Sequence, residues 1–365
     1  MQIGYDASSI RPRPSGVGYY TSSLLRELQL QYPDHRFLIL SHLADLSLSG
    51  QNLVFTQRIS FPIKEVWMQF WLPRILDRHR PDLCHFTNGI APLRISMPYV
   101  VTVHDLSLIE HPEWHPRSRR LWMRRLLLPS VAGAAGVLCD SEATRQRLLQ
   151  WASIDKSRTW VIPLAARESF FEARSETEKE RIRARYELPR PFILYVGNIE
   201  PRKNLSRLLE AFRRLKPREV DLVLAGRCAW LWDGILREVQ QTRKAARVHL
   251  LDYVREDDLP ALYQSALAFA YPSLMEGFGL PVLEAMASGT PVLVSRVEPL
   301  VSLVDGAGWL VPPEKIGAWQ DALAEAIEDA ERRILLAAKG REKSSQYSWA
   351  RTARETMSCY KEIAS

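Results

Sequence analysis

The chain has 365 residues, of which 46% are hydrophobic and 25% are charged, as expected for a globular protein long enough for two α/β domains. No apolar run reaches the length of a membrane span, and the N-terminus lacks the charged and apolar regions of a signal peptide. The four cysteines are scattered, which argues against a zinc site or disulfide framework and predicts a reducing, cytoplasmic setting.

Short apolar runs alternate with helix-like segments along the chain. In the first half we predict strands at 1–6, 37–40, 82–86, 99–103, 136–139 and 161–163, with helices at 19–31, 66–79 and 142–151. In the second half we predict strands at 191–197, 221–225, 248–251, 266–271 and 290–295, with helices at 205–215, 257–265 and from Pro281. This α/β alternation predicts parallel sheets with helices on both faces, in two Rossmann-like domains facing a central cleft.

The polar, charge-rich stretch 166–189 separates the two halves and predicts the domain boundary. We therefore expect an N-terminal domain at 1–165, a linker at 166–189 and a C-terminal domain at 190–347.

A glycine pair follows the first strand, in the segment Ser15-Gly16-Val-Gly18-Tyr19. It opens a predicted helix, and its small residues would let backbone amides approach a phosphate or a sugar. A dinucleotide fingerprint needs a third glycine and a tighter turn, so the motif is weak on its own.

Two stretches mix basic side chains with tryptophans and leucines. The first contains Lys64, Trp67, Trp71, Arg74, Arg78 and Arg80, and the second contains Arg117, Arg119, Arg120, Arg124 and Arg125 around Trp114, Leu121, Trp122, Met123 and 126–128. Such mixtures suit an anionic membrane surface, and a solvated basic face with inward-packed aromatics explains them equally well. Nucleic-acid binding is less favoured, because no recognisable motif accompanies the net charge of +7.

His104 and Asp105 directly follow the apolar run 99–103. A polar pair at the carboxyl end of a strand faces the ligand in this architecture. His104 would bind a substrate or shuttle a proton, with Asp105 orienting it. The alternative is that the loop itself supplies the hydrogen-bond partners of His104 and that Asp105 caps a helix.

The segment Gly197-Asn-Ile-Glu-Pro-Arg-Lys-Asn204 follows the first strand of the second half and precedes a helix. Its position predicts the carboxyl edge of the sheet, where Arg202 and Lys203 would neutralise a diphosphate leaving group. The alternative is a solvated loop in which Asn204 caps the helix.

The segment Glu276-Gly-Phe-Gly-Leu-Pro-Val-Leu-Glu284 places a glycine loop between a strand and a helix that begins near Pro281. Free amides at a helix N-terminus favour a phosphate. Carboxylates there would repel one, so Glu276 and Glu284 are predicted to accept hydrogen bonds from neutral hydroxyls. Together these features suggest a sugar nucleotide.

Several motifs are absent. The sequence has no D-x-D motif for a metal-bridged diphosphate, no cluster with metal-ligand spacing, no P-loop and no nucleophile elbow. We therefore expect no metal, and local positive charge in its place.

In combination, the motifs resemble those of retaining glycosyltransferase family 4, which has the two-domain GT-B fold. The matching segments are Gly16–Gly18, Val103–Asp105, Val196–Asn204, Pro272–Pro291 and Tyr347–Trp349. The resemblance implies that a C-terminal helix, at about 348–365, crosses back to the N-terminal domain, which would bind the acceptor.

The resemblance also implies site residues. It assigns catalytic roles to His104, Arg202, Lys203 and Glu276, and donor contacts to Gly16, Gly18, Asn198, Arg202, Lys203, Tyr253, Val254, Glu276, Phe278, Gly279, Leu280, Leu283 and Glu284. Glu276 would contact the sugar and Glu284 the ribose, and the base would lie near 252–254 and Arg227. Configuration would be retained without an enzymic nucleophile. Tyr19 departs from the family pattern, in which an arginine is common, so a phosphate or acceptor contact there is in doubt.

The segments His104–Ser107, His111–Trp114 and Glu200–Asn204 are most similar to those of bacterial mannosyl- and rhamnosyltransferases of O-antigen and polysaccharide assembly. This implies a GDP-mannose or GDP-D-rhamnose donor and a lipid-linked oligosaccharide acceptor. The enzyme would then be peripheral on the cytoplasmic face of the cell membrane. A UDP-sugar donor, a sugar-nucleotide epimerase of the same fold and an inactive binding protein are the alternatives.

Overall fold

The computed structural model describes residues 1–12, 15–44, 46, 48–56, 60–215, 219–228, 234, 235, 239 and 247–364, with backbone alone for 118, 119 and 121–124. The chain forms two compact units. The first comprises Met1–Glu110, Arg117–Leu164 and Ser348–Ser365, and the second comprises His111–Pro116 and Ala165–Tyr347.

The first unit is built on a parallel sheet in the strand order β3-β2-β1-β4-β5-β6-β7. Its strands are β1 (Gln2–Asp6), β2 (Arg36–Leu40), β3 (Leu53–Phe55), β4 (Leu83–Phe86), β5 (Tyr99–Val103), β6 (Gly136–Cys139) and β7 (Thr159–Val161). Its helices are α1 (Gly16–Gln31), α2 (Lys64–Phe70), α3 (Leu72–His79), α4 (Ser107–Glu110), α5 (Arg117–Gly133) and α6 (Glu142–Trp151), with a 3-10 turn at Lys156–Arg158. The central strands β4, β5 and β6 are buried throughout and apolar except for His85 and Thr102, as parallel strands covered on both faces are expected to be.

The second unit repeats this plan in the strand order β10-β9-β8-β11-β12-β13. Its strands are β8 (Phe192–Val196), β9 (Asp221–Ala225), β10 (Val248–Leu251), β11 (Ala268–Tyr271), β12 (Val292–Ser295) and β13 (Gly308–Val311). Its helices are α7 (Glu176–Arg185), α8 (Leu205–Arg213), α9 (Leu259–Ser265), α10 (Leu280–Ala287), α11 (Leu300–Val304), α12 (Ile316–Glu328) and α13 (Ala330–Ser344), with 3-10 turns at Pro112–Trp114, Glu168–Phe170 and Pro201–Lys203.

Both sheets reverse their strand order at one point, between β1 and β4 in the first unit and between β8 and β11 in the second. Each order is that of the Rossmann fold, in which ligands bind outside the carboxyl ends of the strands at this reversal. The prediction of two parallel Rossmann-like sheets is confirmed. A ligand-binding site is therefore expected at the carboxyl ends of β1 and β4 and at those of β8 and β11.

The strand expected at 161–163 is β7 at Thr159–Val161, and two further predictions need correction. The single helix expected at 66–79 is divided at Trp71, because Pro73 has no N–H to continue α2 and lies instead in the first turn of α3, where none is needed. The stretch 166–189, expected to be a linker, contains a 3-10 turn and α7 and belongs to the second unit. Its polar composition hid several buried apolar residues, among them Phe170, Ile182 and Leu188.

The last helix, α14 (Trp349–Ala364), packs against α1 within the first unit. Its Tyr360 hydroxyl lies 2.5 Å from Nδ1 of His85, and Nε2 of His85 lies 2.7 Å from Oγ1 of Thr102. Thr102 in turn hydrogen-bonds the Tyr20 hydroxyl at 2.8 Å. Burial lowers the pKa of His85 to about 3, so the imidazole is neutral and gives this buried chain of hydrogen bonds no charge.

Two glycines shape the backbone just beyond β8 and β9. Gly197 has φ +152° and Gly226 has φ +149°, and a Cβ atom on Gly226 would lie 1.9 Å from the Gly197 carbonyl oxygen. Only a residue without a Cβ atom permits this approach. The segment that carries Arg202 and Lys203 therefore starts from a backbone position that Gly226 fixes.

We expect Gly226→Ala to lower the free energy of unfolding by about 3 kcal/mol or more, because the new methyl group collides with backbone at an unfavourable φ. Gly317→Ala is the matched control. A Cβ atom at Gly317, in the first turn of α12, meets nothing within 4 Å, so this change should be neutral or add up to about 1 kcal/mol. Urea denaturation followed by circular dichroism measures both, and equal midpoints for the two variants would contradict the close-approach argument.

Candidate active site

The carboxyl ends of β8 and β11 bring Arg202, Lys203 and Glu276 together. The 3-10 turn Pro201–Lys203 ends at Asn204, which adopts a left-handed conformation with φ 56°. The Asn204 side-chain amide donates to the carbonyl groups of Pro272 and Pro313, at 3.0 and 2.9 Å. The first bond fastens the loop after β8 to the loop after β11, and the second fastens it to the segment after β13, so the cations face Glu276 across a fixed backbone. The alternative interpretation of this segment, a solvated loop, is therefore wrong.

Glu276 pairs with both cations. Its Oε1 lies 2.6 Å from Nζ of Lys203, and its Oε2 lies 3.0 Å from Nη1 of Arg202. Glu276 is 7% exposed and Lys203 is 6% exposed. A buried cluster of this kind costs desolvation energy that its own attractions barely repay, so such clusters are commoner at functional sites than stability alone explains.

The charges in the cluster shift one another's pKa values. Burial would raise the pKa of Glu276, but Arg202 and Lys203 outweigh it and hold that pKa below its ordinary value. Burial, followed by repulsion from Arg202, lowers the pKa of Lys203. Glu276 is thus held as a carboxylate between two cations.

Two further residues complete the cluster, and the sequence did not single them out. Glu200 is buried, and its Oε1 accepts from both Nε and Nη2 of Arg202, at 3.1 and 2.8 Å. The Tyr271 hydroxyl accepts a hydrogen bond of 2.6 Å from Lys203. A carboxylate two residues before an arginine in a strand-to-helix loop was the available signal for Glu200. An ammonium has three donors, and within the described residues Lys203 uses two of them, on Tyr271 and Glu276.

The segment Phe278–Leu280 leads into α10, which starts at Leu280, one residue before the predicted Pro281. Gly279 has φ +105°, and a Cβ atom there would lie 2.5 Å from Leu300. The amides of Val282 and Leu283 already donate to the Gly279 carbonyl. The N–H groups of Phe278, Gly279 and Leu280 precede them, at the positive end of the helix dipole.

Glu284 lies on α10, is buried and receives a 3.3 Å hydrogen bond from the Tyr263 hydroxyl. Burial raises its pKa to about 7. Glu276 and Glu284 therefore differ in charge near neutrality, since one faces two cations and the other faces a phenol. Leu283 is fully buried beside it.

The residues expected near the base also belong to the second unit. The Arg227 guanidinium lies 5.1 Å from the centroid of the Tyr253 ring, a cation–π contact. Val254 is buried, and Asn198 is exposed with its carbonyl accepting from the Tyr195 hydroxyl at 2.9 Å. This geometry leaves the predicted donor roles of Asn198, Tyr253 and Val254 as predictions.

In the first unit, His104 follows β5 and uses both ring nitrogens. Its Nδ1 lies 2.6 Å from Oδ2 of Asp140, and its Nε2 lies 2.9 Å from the Thr87 carbonyl oxygen. Burial would lower the pKa of His104, but Asp140 and the Thr87 carbonyl outweigh it and raise that pKa. Since both partners are acceptors, the ring is an imidazolium that donates twice.

The expectation that Asp105 orients His104 is wrong, because Asp140 does so. Asp105 instead accepts from the amide and the hydroxyl of Ser107, at 2.9 and 2.7 Å, at the start of α4. Asp140 follows β6, the neighbour of β5 in the sheet, so the carboxyl ends of adjacent strands bring the pair together. An acidic residue directly after the apolar run 136–139 was the signal in the sequence.

The glycine pair opens α1, with Ser15 at the N-cap. A Cβ atom on Gly16 would meet nothing within 4 Å, so packing does not require this glycine. Gly18 is buried, and Tyr19 is partly exposed.

The two basic-aromatic stretches are described unequally. In the first stretch, Trp67 is buried while Phe70 and Trp71 are exposed. In the second, the side chains of Arg119, Leu121, Trp122, Met123 and Arg124 lie outside the described residues.

Among the helices described, none is both long and apolar enough to cross a membrane. The same residues contain no group of three or more histidine, cysteine or acidic side chains placed to hold a metal ion.

Comparison with known proteins identifies the family. A family model described as Glycosyltransferase Family 4 matches residues 14–170, and one described as Glycosyl transferases group 1 matches residues 177–343. O-antigen chain mannosyltransferase B of Escherichia coli is 31% identical over 314 residues, which cover 85% of this chain and 80% of that protein. The chain belongs to glycosyltransferase family 4.

Other members and solved structures agree with this. The serotype-specific mannosyltransferase WbdA of Escherichia coli is 29% identical over 73% of this chain and 34% of that longer protein. Sucrose-phosphate synthase from Thermosynechococcus elongatus superposes with a TM-score of 0.80 at 19% identity, covering 100% of this chain and 99% of its own. The glycosyltransferase WaaG superposes with a TM-score of 0.77 at 15% identity, covering 97% and 98%. This family 4 protein is thus a hexosyltransferase with the GT-B fold.

The raised pKa of Glu284 makes the stability of this glycosyltransferase depend on pH. Because the pKa in the folded state, about 7, exceeds the ordinary 4.5, the folded state binds the proton more tightly than the unfolded state. Stability contributed by Glu284 should therefore fall as pH rises from 4.5 through 7, by roughly 3 kcal/mol in total.

Thermal and urea unfolding of the wild type and Glu284→Gln at pH 5, 6, 7 and 8 measure this effect. The wild type should lose stability relative to Glu284→Gln across the series, because glutamine does not titrate. Exposed Glu342 supplies the control, and Glu342→Gln should follow the wild type. Parallel profiles for the wild type and Glu284→Gln would refute the assignment.

Proposed function

We propose that this family 4 enzyme transfers mannose or D-rhamnose from a GDP-sugar to a lipid-linked oligosaccharide in O-antigen or polysaccharide assembly. The observation that carries the proposal is the buried cluster of Arg202, Lys203 and Glu276 at the strand-order reversal of the second sheet. The choice of sugar follows the mannosyltransferases of Escherichia coli to which the chain is similar.

The cluster supports transfer with a departing diphosphate. Negative charge develops on the diphosphate as the bond between its oxygen and the anomeric carbon of the sugar breaks, and fixed cations nearby stabilise that charge. Lys203 retains an N–H beyond those on Tyr271 and Glu276, and the start of α10 adds its backbone amides and dipole. These residues supply the charge that a divalent ion supplies elsewhere, which supports a metal-independent reaction.

Glu276 and Glu284 would each contact a different neutral part of the donor. Glu276, held as a carboxylate, would accept from sugar hydroxyls, and Glu284 would accept from the ribose. Arg227, stacked on Tyr253, would lie near the base. Both carboxylates of the donor cluster are already ion-paired, Glu276 with Arg202 and Lys203 and Glu200 with Arg202, which disfavours either as a nucleophile. Retention by front-face attack, with the leaving phosphate taking the acceptor proton, fits that arrangement.

We expect Lys203→Met to lower kcat at least 100-fold, since removing one donor to a developing oxyanion typically costs 10²–10³ in rate. The same change should reduce the rise in melting temperature that GDP-mannose produces. Arg213→Met, which removes an exposed cation from α8, should alter neither quantity.

Thermal-shift titrations with GDP-, UDP- and ADP-sugars, followed by turnover assays on the two variants, measure these effects. Wild-type turnover in Lys203→Met would overturn the role of the cluster. A larger shift with a UDP-sugar than with any GDP-sugar would replace the proposed donor by the alternative donor.

We further propose that the enzyme binds an anionic membrane surface on its cytoplasmic face. The apolar patch formed by Ile63, Phe70 and Trp71 supports this, because these side chains are 54%, 61% and 45% exposed. The cation Lys64 lies on α2 with Phe70, and Arg74 and Arg78 lie on the following helix α3, a combination of apolar and basic side chains that suits anionic lipid.

Replacing Ile63 and Phe70 together by serine should lower partitioning onto phosphatidylglycerol vesicles about 10-fold or more, since two apolar side chains no longer enter the interface. Exposed Ile334 and Leu335 on α13 provide a control with equal loss of hydrophobicity. Co-sedimentation at low and high salt measures binding. Equal partitioning of the wild type and both double variants would exclude the patch as the membrane contact.

A further inference from the structure

A second group of polar side chains lies in the first unit, at the carboxyl ends of β1 and β2, and takes no part in the donor cluster. We define the Asp6 cluster as Asp6, Ser8, His42 and Lys64. Asp6 is the last residue of β1, His42 follows β2, and Lys64 opens α2. The cluster lies at the carboxyl edge of the first sheet, where a Rossmann-like unit binds ligands; Asp6 borders the strand-order reversal between β1 and β4, and His42 lies one strand away from it, after β2.

Three members of this cluster are buried, and each has one side-chain polar atom without a hydrogen-bond partner. Asp6, Ser8 and His42 are 0%, 2% and 3% exposed. In the part of the chain that the structure describes, Asp6 Oδ2, Ser8 Oγ and His42 Nδ1 have no hydrogen-bond partner. Buried polar groups are nearly always paired, because an unpaired one costs free energy, so three together at a ligand-binding edge require an explanation.

The charges around the cluster limit what would bind. Nζ of Lys64 lies 3.8 Å from Asp6 Oδ2, beyond hydrogen-bond distance, and the lysine side chain is 18% exposed. Lys64 is thus the member that a ligand reaches first, and the carboxylate lies behind it. A phosphate would bring its negative charge against Asp6. Neutral hydroxyl groups, which both donate and accept, would pair with the carboxylate, the serine hydroxyl and the imidazole.

The surroundings of the cluster indicate the rest of the ligand. The Phe61 amide donates to the His42 carbonyl at 2.7 Å, and the Phe61 ring lies 5.1 Å from the ring of Trp71. The exposed apolar patch of Ile63, Phe70 and Trp71 therefore adjoins the cluster. A molecule with sugar hydroxyls at one end and a lipid at the other fits both.

We infer that the Asp6 cluster is an acceptor subsite, in which Asp6, Ser8 and His42 bind the hydroxyl groups of a neutral hexose of the acceptor glycan. The inference rests on the proposed lipid-linked oligosaccharide acceptor and adds the residues that recognise it. Lys64 moves outward as a sugar hydroxyl enters between its ammonium group and Asp6. These are positioning contacts to a sugar and take no part in bond breaking.

Saturation-transfer difference NMR tests the subsite directly. It measures the binding of octyl α-mannobioside to the full chain with GDP present. The wild type should bind this probe, and Asp6→Asn and Ser8→Ala should weaken binding about 10-fold, as loss of a hydrogen bond to a charged or buried group does. Asp6→Asn keeps the oxygen that accepts from the Ser8 amide, so the local turn is preserved. Asp34→Asn, an exposed carboxylate of the same unit, should bind as the wild type does.

Steady-state assays with GDP-mannose as donor and the same glycoside as acceptor separate this inference from the proposed function. Asp6→Asn should raise KM for the glycoside about 10-fold and leave kcat, KM for the donor and the affinity for GDP unchanged. Equal binding of the glycoside by the wild type and Asp6→Asn, or no binding by the wild type, would overturn the subsite. Binding that is lost in Asp6→Asn, together with no transfer by the wild type, would uphold the subsite and overturn the proposed donor or reaction.

Discussion

The attraction between one buried carboxylate and two cations is the interaction on which the rest of the second unit depends. Glu276 comes from the loop after β11, and Arg202 and Lys203 come from the loop after β8. Each charge would be costly to bury alone, so each loop needs the other to hold its conformation. The hydrogen bonds of Asn204, Tyr271 and Glu200 then hold these three charged groups in their relative positions.

The same principle, a charged group held at the end of a parallel strand, recurs in the first unit with a different chemical result. His104 follows β5 and is held as an imidazolium between Asp140, which follows β6, and a carbonyl group. The fold supplies the positions, since carboxyl ends of neighbouring strands meet at one edge. The residues supplied at those positions decide whether each site is cationic, anionic or neutral.

Local patterns in the sequence were sufficient for much of this architecture. The segments 197–204 and 276–284 each follow an apolar run and precede a helix, so their place at the sheet edge could be predicted, and so could the two Rossmann-like sheets. The partner of His104 could not be predicted, because it depends on β5 and β6 being neighbours, which is a property of the sheet and not of adjacent residues. The stretch 166–189 was misjudged because its buried apolar residues, chiefly Phe170, Ile182 and Leu188, are too few to change its polar composition.

The position of α14 in the chain has a consequence for biosynthesis. The first unit is closed by a helix that the ribosome makes only after all of the second unit. Until Tyr360 emerges, His85 has an unpaired nitrogen in the core and α1 has an uncovered face. The unit begun first is therefore completed last, and a chain arrested after residue 347 would expose apolar surface to chaperones and proteases in spite of having both sheets.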